Sequence, residues 1–352
     1  MHLTTLALLL ALSAEPAEPA DTQERAAGEC DEGGCSRQIG GATFLLPILQ
    51  QQSFVSTYVG IREGVAVYHV PDLSIGILGP QDVSLAGYQQ TLDLGLRLTR
   101  WLGLWGEARG TIFTGLTLSS LLVGGGSFVA SGEGGLVLRL LHFESSGTQL
   151  SLRAGGGYER GRALTLLPLL SAIVDTPGVT LRSILDGNLR EFLLVPIAER
   201  SVTGGLYLAQ ALGGPFLSLQ SSASARRAWR TFRPFDPAVG DRVDLGTTAT
   251  RFDLAVALTA DFKPLGVPLG LMGEYLFTTG RQTEVALART NLNTHSVALG
   301  LYYTGRPNLQ LGLGGVTVLD AEPRIGRDVR GNPAMSGRPR LAYGQLILRY
   351  IW

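Results

Sequence analysis

Charge is scarce in this chain. Of its 352 residues, 16% are Asp, Glu, Lys or Arg, against about 25% in soluble globular domains. The 29 basic and 29 acidic residues cancel. No basic excess is present to neutralise phosphates, so nucleic-acid binding has no electrostatic support. Lysine is nearly missing, with Lys263 alone. There are two cysteines and four histidines, and neither a zinc-spaced cluster nor a Gly-rich phosphate loop occurs, so no metal or other cofactor is expected. Long apolar runs are missing too. Leu6 to Leu12 is too short for a membrane-spanning helix, which needs about 20 apolar residues. The stretch from Ala163 to Val174 is also short and is broken by Pro168.

The start of the chain reads as a secretory signal over residues 1–14. An apolar run ends in the small residues Ser13 and Ala14, although no Lys or Arg precedes it. Residues 15–52 read as a periplasmic lead. Its first part is rich in Ala, Glu, Gly and Pro, and its end, around Phe44-Leu45-Leu46-Pro47-Ile48-Leu49, is apolar enough to form a short plug. Cys30 and Cys35 would meet an oxidising compartment after export, and a small-loop disulfide between them is expected.

From residue 53 to 352 one pattern dominates: stretches of about 10 to 16 residues that alternate apolar and polar with period two. Twelve strands are placed at about 53–68, 83–99, 102–113, 127–142, 148–160, 201–211, 216–226, 247–261, 269–279, 294–304, 308–318 and 341–352. In the eighth, Phe252, Leu254, Val256, Leu258 and Ala260 share one face, and Arg251, Asp253 and Asp261 share the other. Leu92, Leu94, Leu96 and Leu98 oppose Asp93 and Arg97 in the second. Connections after even strands are short and those after odd strands long. That is the arrangement of a transmembrane barrel with short periplasmic turns and long extracellular loops. None of the 17 prolines falls inside a proposed strand, as ladder hydrogen bonding favours. Trp101, Trp105, Phe143, Phe262 and Trp352 gather near strand ends, where an interfacial girdle would use them.

The last strand carries a resemblance. Gly344, Leu346, Leu348, Tyr350 and Trp352 alternate with Gln345 and Arg349, and the sequence stops on the aromatic. This resembles the C-terminal signal of bacterial outer-membrane β-barrel proteins, in which the final residue is usually Phe rather than Trp. The resemblance implies an outer-membrane location, surrounding lipid and recognition by a barrel-assembly machinery. A soluble sandwich, whose strands average about five or six residues, fits this pattern less well. The expected fold is all-β: an antiparallel transmembrane barrel of about twelve strands.

Inward-facing charges are the candidate functional residues: Asp93, Arg97, Glu107, Arg109, Glu133, Arg139, Arg153, Arg251, Asp253, Asp261, Glu274 and Arg349. They either pair across the lumen and narrow it, or line a permeation path. The loop from Gly161 to Glu199 is unusually apolar. The segment from Arg226 to Arg242, with Arg227, Trp229, Arg230 and Arg233, reads as a basic extracellular loop that touches lipopolysaccharide phosphates or is simply solvated. His69 and His295 sit near the extracellular side without a recognisable nucleophile, and no enzymatic activity is expected. The reading that results is a narrow passive channel or transporter for small solutes, gated by the N-terminal segment or the apolar loop. The alternatives are a fatty-acid-transporter-like conduit for hydrophobic molecules and a closed structural barrel.

Overall fold

The computed structural model describes residues 37–352 apart from 75–78, 118–119, 122–124, 165–193, 234, 237–240, 285–286, 320–324 and 328–332. The signal segment, the Cys30–Cys35 pair and most of the apolar 161–199 loop lie outside the described residues.

Twelve strands close into one antiparallel barrel. In chain order they are β1 (Tyr58–Ser74), β2 (Pro80–Arg97), β3 (Leu102–Gly115), β4 (Gly126–Phe143), β5 (Thr148–Leu164), β6 (Leu194–Ala211), β7 (Leu217–Phe232), β8 (Leu245–Asp261), β9 (Leu269–Glu284), β10 (Leu287–Tyr303), β11 (Leu309–Val318) and β12 (Arg340–Ile351). Each corresponds to one strand expected from the alternation. Closure is made by β12 on β1, in a register that sets Ile351 against Tyr58 and Arg340 against His69. No edge remains, and a barrel in lipid requires that.

The two faces differ as the pattern dictates. Every strand turns large apolar side chains outward, among them Val65, Leu94, Leu104, Leu136, Leu254 and Leu299, the last 68% exposed. A belt of that size far exceeds the apolar patches that soluble monomers leave bare; a bilayer is the solvent it suits. Among the strands' outward positions Glu63 is a carboxylate within the belt, and Gln90 Nε2 donates to it at 3.1 Å across β1 and β2. Small and polar residues point inward.

The structure departs from the sequence reading in several places. β1 begins at Tyr58, not at Ser53, because residues 53–57 belong to a segment inside the barrel. Strands run further at the long-loop end: β9 and β10 are separated by two residues only, and β7 continues to Phe232. Arg226, Arg227, Trp229 and Arg230 are therefore wall residues rather than a basic loop. The apolar alternation stops there, but pairing with β6 and β8 carries the ladder on. Among the described residues, two prolines lie inside barrel strands and a third, Pro80, opens β2. Pro71 sits at a register shift between Val70 and Leu73, beside Asp72 with φ 53°, and Pro196 is the third residue of β6; bulges and strand ends tolerate the missing N–H. A second register shift between Arg139 and Leu141 lets both Leu140 and Leu141 face outward, 43% and 48% exposed. Trp105 is no girdle residue. It points inward, 8% exposed, against Val55 and Val137. Trp101, Phe143 and Trp352 are outside, each more than half exposed.

Candidate functional site: a filled lumen

Residues 37–57 run inside the barrel and fill its short-turn half. The segment enters at the rim: Arg37 Nη2 donates to the Arg306 carbonyl at 3.1 Å, and the Gly40 N–H to Glu144 Oε1 at 3.0 Å. Both acceptors lie in short turns. Gly40 and Gly147 approach so closely that a Cβ on Gly40 would stand 2.9 Å from the Gly147 Cα, and both adopt positive φ (57° and 64°), which glycine alone takes readily. The segment then forms a small two-stranded pair, Gln38–Ile39 with Ala42–Thr43, and returns to the wall at Tyr58.

Its apolar residues make the core. Leu45, Leu46 and Ile48 are buried against Ala257, Met272, Ala298, Tyr302, Val316 and Ile347 from the wall. Phe44 and Phe54 pack on each other at 5.2 Å and on Ala209. Inward alanines and glycines on the wall make room for them. Gly314 is one: a Cβ there would lie 2.5 Å from Ile48 Cδ1. Gly314→Val is expected to cost about 1–3 kcal/mol by overpacking and to displace Ile48, which a urea titration of the detergent-folded barrel would measure.

Polar wall groups hold the backbone of the segment. Gln149 Nε2 and Ser151 Oγ donate to the Ser53 carbonyl at 2.7 and 2.5 Å. Gln220 Nε2 donates to Leu45 O at 2.7 Å and Tyr302 Oη to Leu46 O at 2.6 Å. Arg153 Nη1 donates to Gln52 O at 2.7 Å, with its guanidinium 4.8 Å from the Trp105 ring centre. The carboxylate of Glu274, 3% exposed, accepts the N–H groups of Ile48, Leu49 and Gln50 at 2.7, 2.9 and 2.8 Å. Arg349 pairs with Asp93, donates from Nη1 to Gln52 Oε1 at 3.1 Å and lies 4.0 Å from the Tyr58 ring centre. These wall groups read the segment as a docked peptide rather than as loose filling.

Above the segment the lumen is lined by paired charge. Arg62 Nη2 meets Glu107 Oε2 at 2.6 Å, and Arg109 also pairs with Glu107. Higher still, Arg226 bridges Glu133 (2.7 Å) and Glu199 (3.4 Å), and Arg230 bridges Glu199 (2.8 Å) and Glu159 (3.5 Å). Asp253 accepts from Thr278 Oγ1 at 2.6 Å. Thus the structure separates the sequence candidates. Asp93, Arg153, Glu274 and Arg349 grip the segment. Glu107, Arg109, Glu133, Arg251 and Asp253 lie on the inward face above it. Arg97, Arg139 and Asp261 lie at the short-turn end, where Asp261 Oδ1 accepts the Lys263 N–H at 3.0 Å.

Sequence reasoning missed Arg62, Glu159, Glu199, Arg226 and Arg230 as inward residues. Arg62 shares its parity with Gly60 and Gly64, and Glu159 with Ser151 and Arg153, so period two contained that signal. Glu199 and Arg230 lie outside the expected strands, which began too late at 201 and ended too early at 226, and Arg226 was the last residue of its strand but was read as the start of a loop. His69 Nδ1 and Ser84 Oγ lie 2.9 Å apart on the outer face, but among the described residues no carboxylate is within ion-pair distance of His69. Among the described residues, no group of three or more His, Cys, Asp or Glu is placed to hold a metal ion.

No protein-family model and no curated protein matches the chain. Several solved structures are similar to it. The translocator domain of the autotransporter NalP from Neisseria meningitidis aligns at 9% identity over 84% of this chain and 89% of that one, with a TM-score of 0.48. The β domain of the Bordetella autotransporter BrkA aligns at 11% identity over 84% and 100%, also at 0.48. An outer-membrane channel from Pseudomonas putida F1 aligns at 13% identity over 85% and 96%, again at 0.48.

Proposed function

We propose that this chain is an outer-membrane barrel that passes small polar solutes, and that residues 37–57 are its gate. The observation that carries the reading is the docked segment. It fills the short-turn half of a barrel whose upper half is lined with ionic and hydroxyl side chains. Much of its attachment is through side chains donating to its backbone carbonyls, bonds that water can replace when the segment leaves. The wall above, with Arg62, Arg226, Arg230 and Arg251 facing Glu133, Glu159, Glu199 and Asp253, suits charged or zwitterionic solutes better than oily ones. Assembly through the C-terminal strand belongs to the same reading: Leu346, Leu348, Tyr350 and Trp352 lie along one face of β12 and just past its end. A non-catalytic role belongs to it as well, and His69→Ala should leave transport unchanged.

Planar-bilayer conductance tests the proposal. The full chain is expected to be closed or to open rarely, and a chain lacking residues 37–52 is expected to give discrete, larger current steps. A truncated barrel that folds, judged by heat-modifiable mobility, and stays silent would instead favour a closed structural barrel. In the truncated form, Arg226→Gln with Arg230→Gln removes two lumen cations and frees Glu133, Glu159 and Glu199. Reversal potentials in a salt gradient are expected to shift toward cation selectivity.

A further inference from the structure

The outer face carries a second arrangement of charge, on the far side of the wall from the lumen network. Strands β4 to β8 hold five carboxylates, Glu133, Glu159, Glu199, Asp253 and Asp261, and all of them are on the inward face. The same strands turn four arginines outward: Arg160 and Arg162 on β5, Arg200 on β6 and Arg227 on β7, all exposed. Alternation demands this separation, because Glu159 and Arg160, Glu199 and Arg200, and Arg226 and Arg227 are chain neighbours. Each neighbour pair sends one member inward to an ion pair and one outward. The outward members have no carboxylate partner among the described residues.

Register brings the four together. Arg200 stands opposite Tyr158 on β5 and opposite Trp229 on β7. Arg160 follows Tyr158 by two residues and Arg227 precedes Trp229 by two, so both are diagonal neighbours of Arg200, about 7–8 Å away. Arg162 stands opposite Phe128 on β4. The result is a basic patch interleaved with Phe128, Tyr158 and Trp229, which are 56%, 49% and 42% exposed. The Arg227 guanidinium lies 5.4 Å from the Trp229 ring centre.

Height decides what the patch meets. Arg227, Arg200 and Arg160 stand 10, 11 and 12 residues from the short-turn ends of their strands, at Leu217, Ala211 and Thr148. At about 3.3 Å per residue and a tilt of about 40°, that is roughly 25–30 Å above the turns. A transmembrane barrel's apolar band is about 25 Å tall, so the arginines emerge at its far boundary, where Trp and Tyr also settle. A guanidinium at that level meets lipid headgroups, and it binds phosphate through paired N–H donors.

We propose that Arg160, Arg162, Arg200 and Arg227 form a site for the phosphate groups of a phosphorylated glycolipid headgroup in the outer leaflet. The four side chains span three strands, wide enough to engage two phosphates on one headgroup. The binding is independent of the lumen and of the gate.

The test uses the full-length barrel folded in detergent, titrated with diphosphorylated lipid A and, separately, with lipid A stripped of both phosphates. Complexes are counted by native mass spectrometry. The wild type is expected to prefer the diphosphorylated form at least about tenfold, and a variant with all four arginines changed to Gln is expected to lose that preference. A variant with Arg281→Gln and Arg340→Gln, outward arginines elsewhere on the wall, should keep it. Heat-modifiable mobility reports folding; if the fourfold variant does not fold, Arg200→Gln and Arg227→Gln are measured singly and each is expected to weaken binding. Equal binding of the two lipids by the wild type would overturn the proposal, and so would full preference retained in the folded variants. Displacement by inorganic phosphate as efficient, phosphate for phosphate, as by the lipid would show a free-anion site instead. Conductance is not read in this assay, so its outcome is separate from that of the transport proposal.

Discussion

Arg349→Met is expected to cost the folded barrel about 3–5 kcal/mol, the usual penalty for removing one partner of a buried ion pair. Arg349 and Asp93 are 3% and 4% exposed, and both lie at the level where the lumen segment turns. Without the guanidinium, Asp93 keeps its charge in an enclosed site and loses its direct ion-pair partner. Gln52 Oε1 loses a donor at the same time, and the Tyr58 ring loses the cation over its face. The barrel can relieve the cost by letting water reach Asp93, which means displacing the segment around Gln52. Two readouts should therefore move together: a lower urea midpoint in detergent and more frequent channel openings. The double variant Asp93→Leu with Arg349→Met removes the stranded charge and should recover much of the stability. A single variant as stable as the wild type would show that the pair contributes little.

Glu274→Leu is expected to remove about 2–4 kcal/mol of the segment's attachment, since three charge-assisted hydrogen bonds disappear and three buried N–H groups are left without an acceptor. The N–H groups of Ile48, Leu49 and Gln50 converge on that one carboxylate, and the leucine that replaces it has nothing to offer them. Unlike the Arg349 change, this one leaves no stranded charge in the wall. The barrel itself should keep its heat-modifiable mobility while the segment detaches. Limited proteolysis near residues 48–50 should speed up, and conductance should rise toward that of the chain lacking 37–52. If cleavage and current both stay at wild-type levels, Glu274 is not what holds the gate.

Much of the wall was legible in the sequence for a simple physical reason. A strand whose faces meet lipid and lumen must alternate with period two, so Leu92-Leu94-Leu96 and Phe252-Leu254-Val256-Leu258 declare their orientation locally. The same parity already placed Trp105 with Glu107 and Arg109 on the inward face; its nearness to a turn suggested a girdle, and packing against Val55 and Val137 shows otherwise. The upper strand ends were not legible. Around Ser221-Ser222-Ala223-Ser224-Ala225 the outward residues are too small to mark a face, and beyond them arginines occupy both sides. What keeps Arg226 to Phe232 extended is the ladder to β6 and β8, which the sequence of β7 does not contain.

The sequence by itself determined the class of architecture, the number of strands and the face of each that meets lipid, because those follow from neighbours two residues apart. Only the tertiary structure decided that residues 37–57 lie within the lumen, that Glu274 receives three of their N–H groups, and that Arg349 meets Asp93. Those contacts join positions more than 200 residues apart. They form only when β12 closes on β1, and no local pattern records which inward carboxylate a given inward cation or backbone amide will reach.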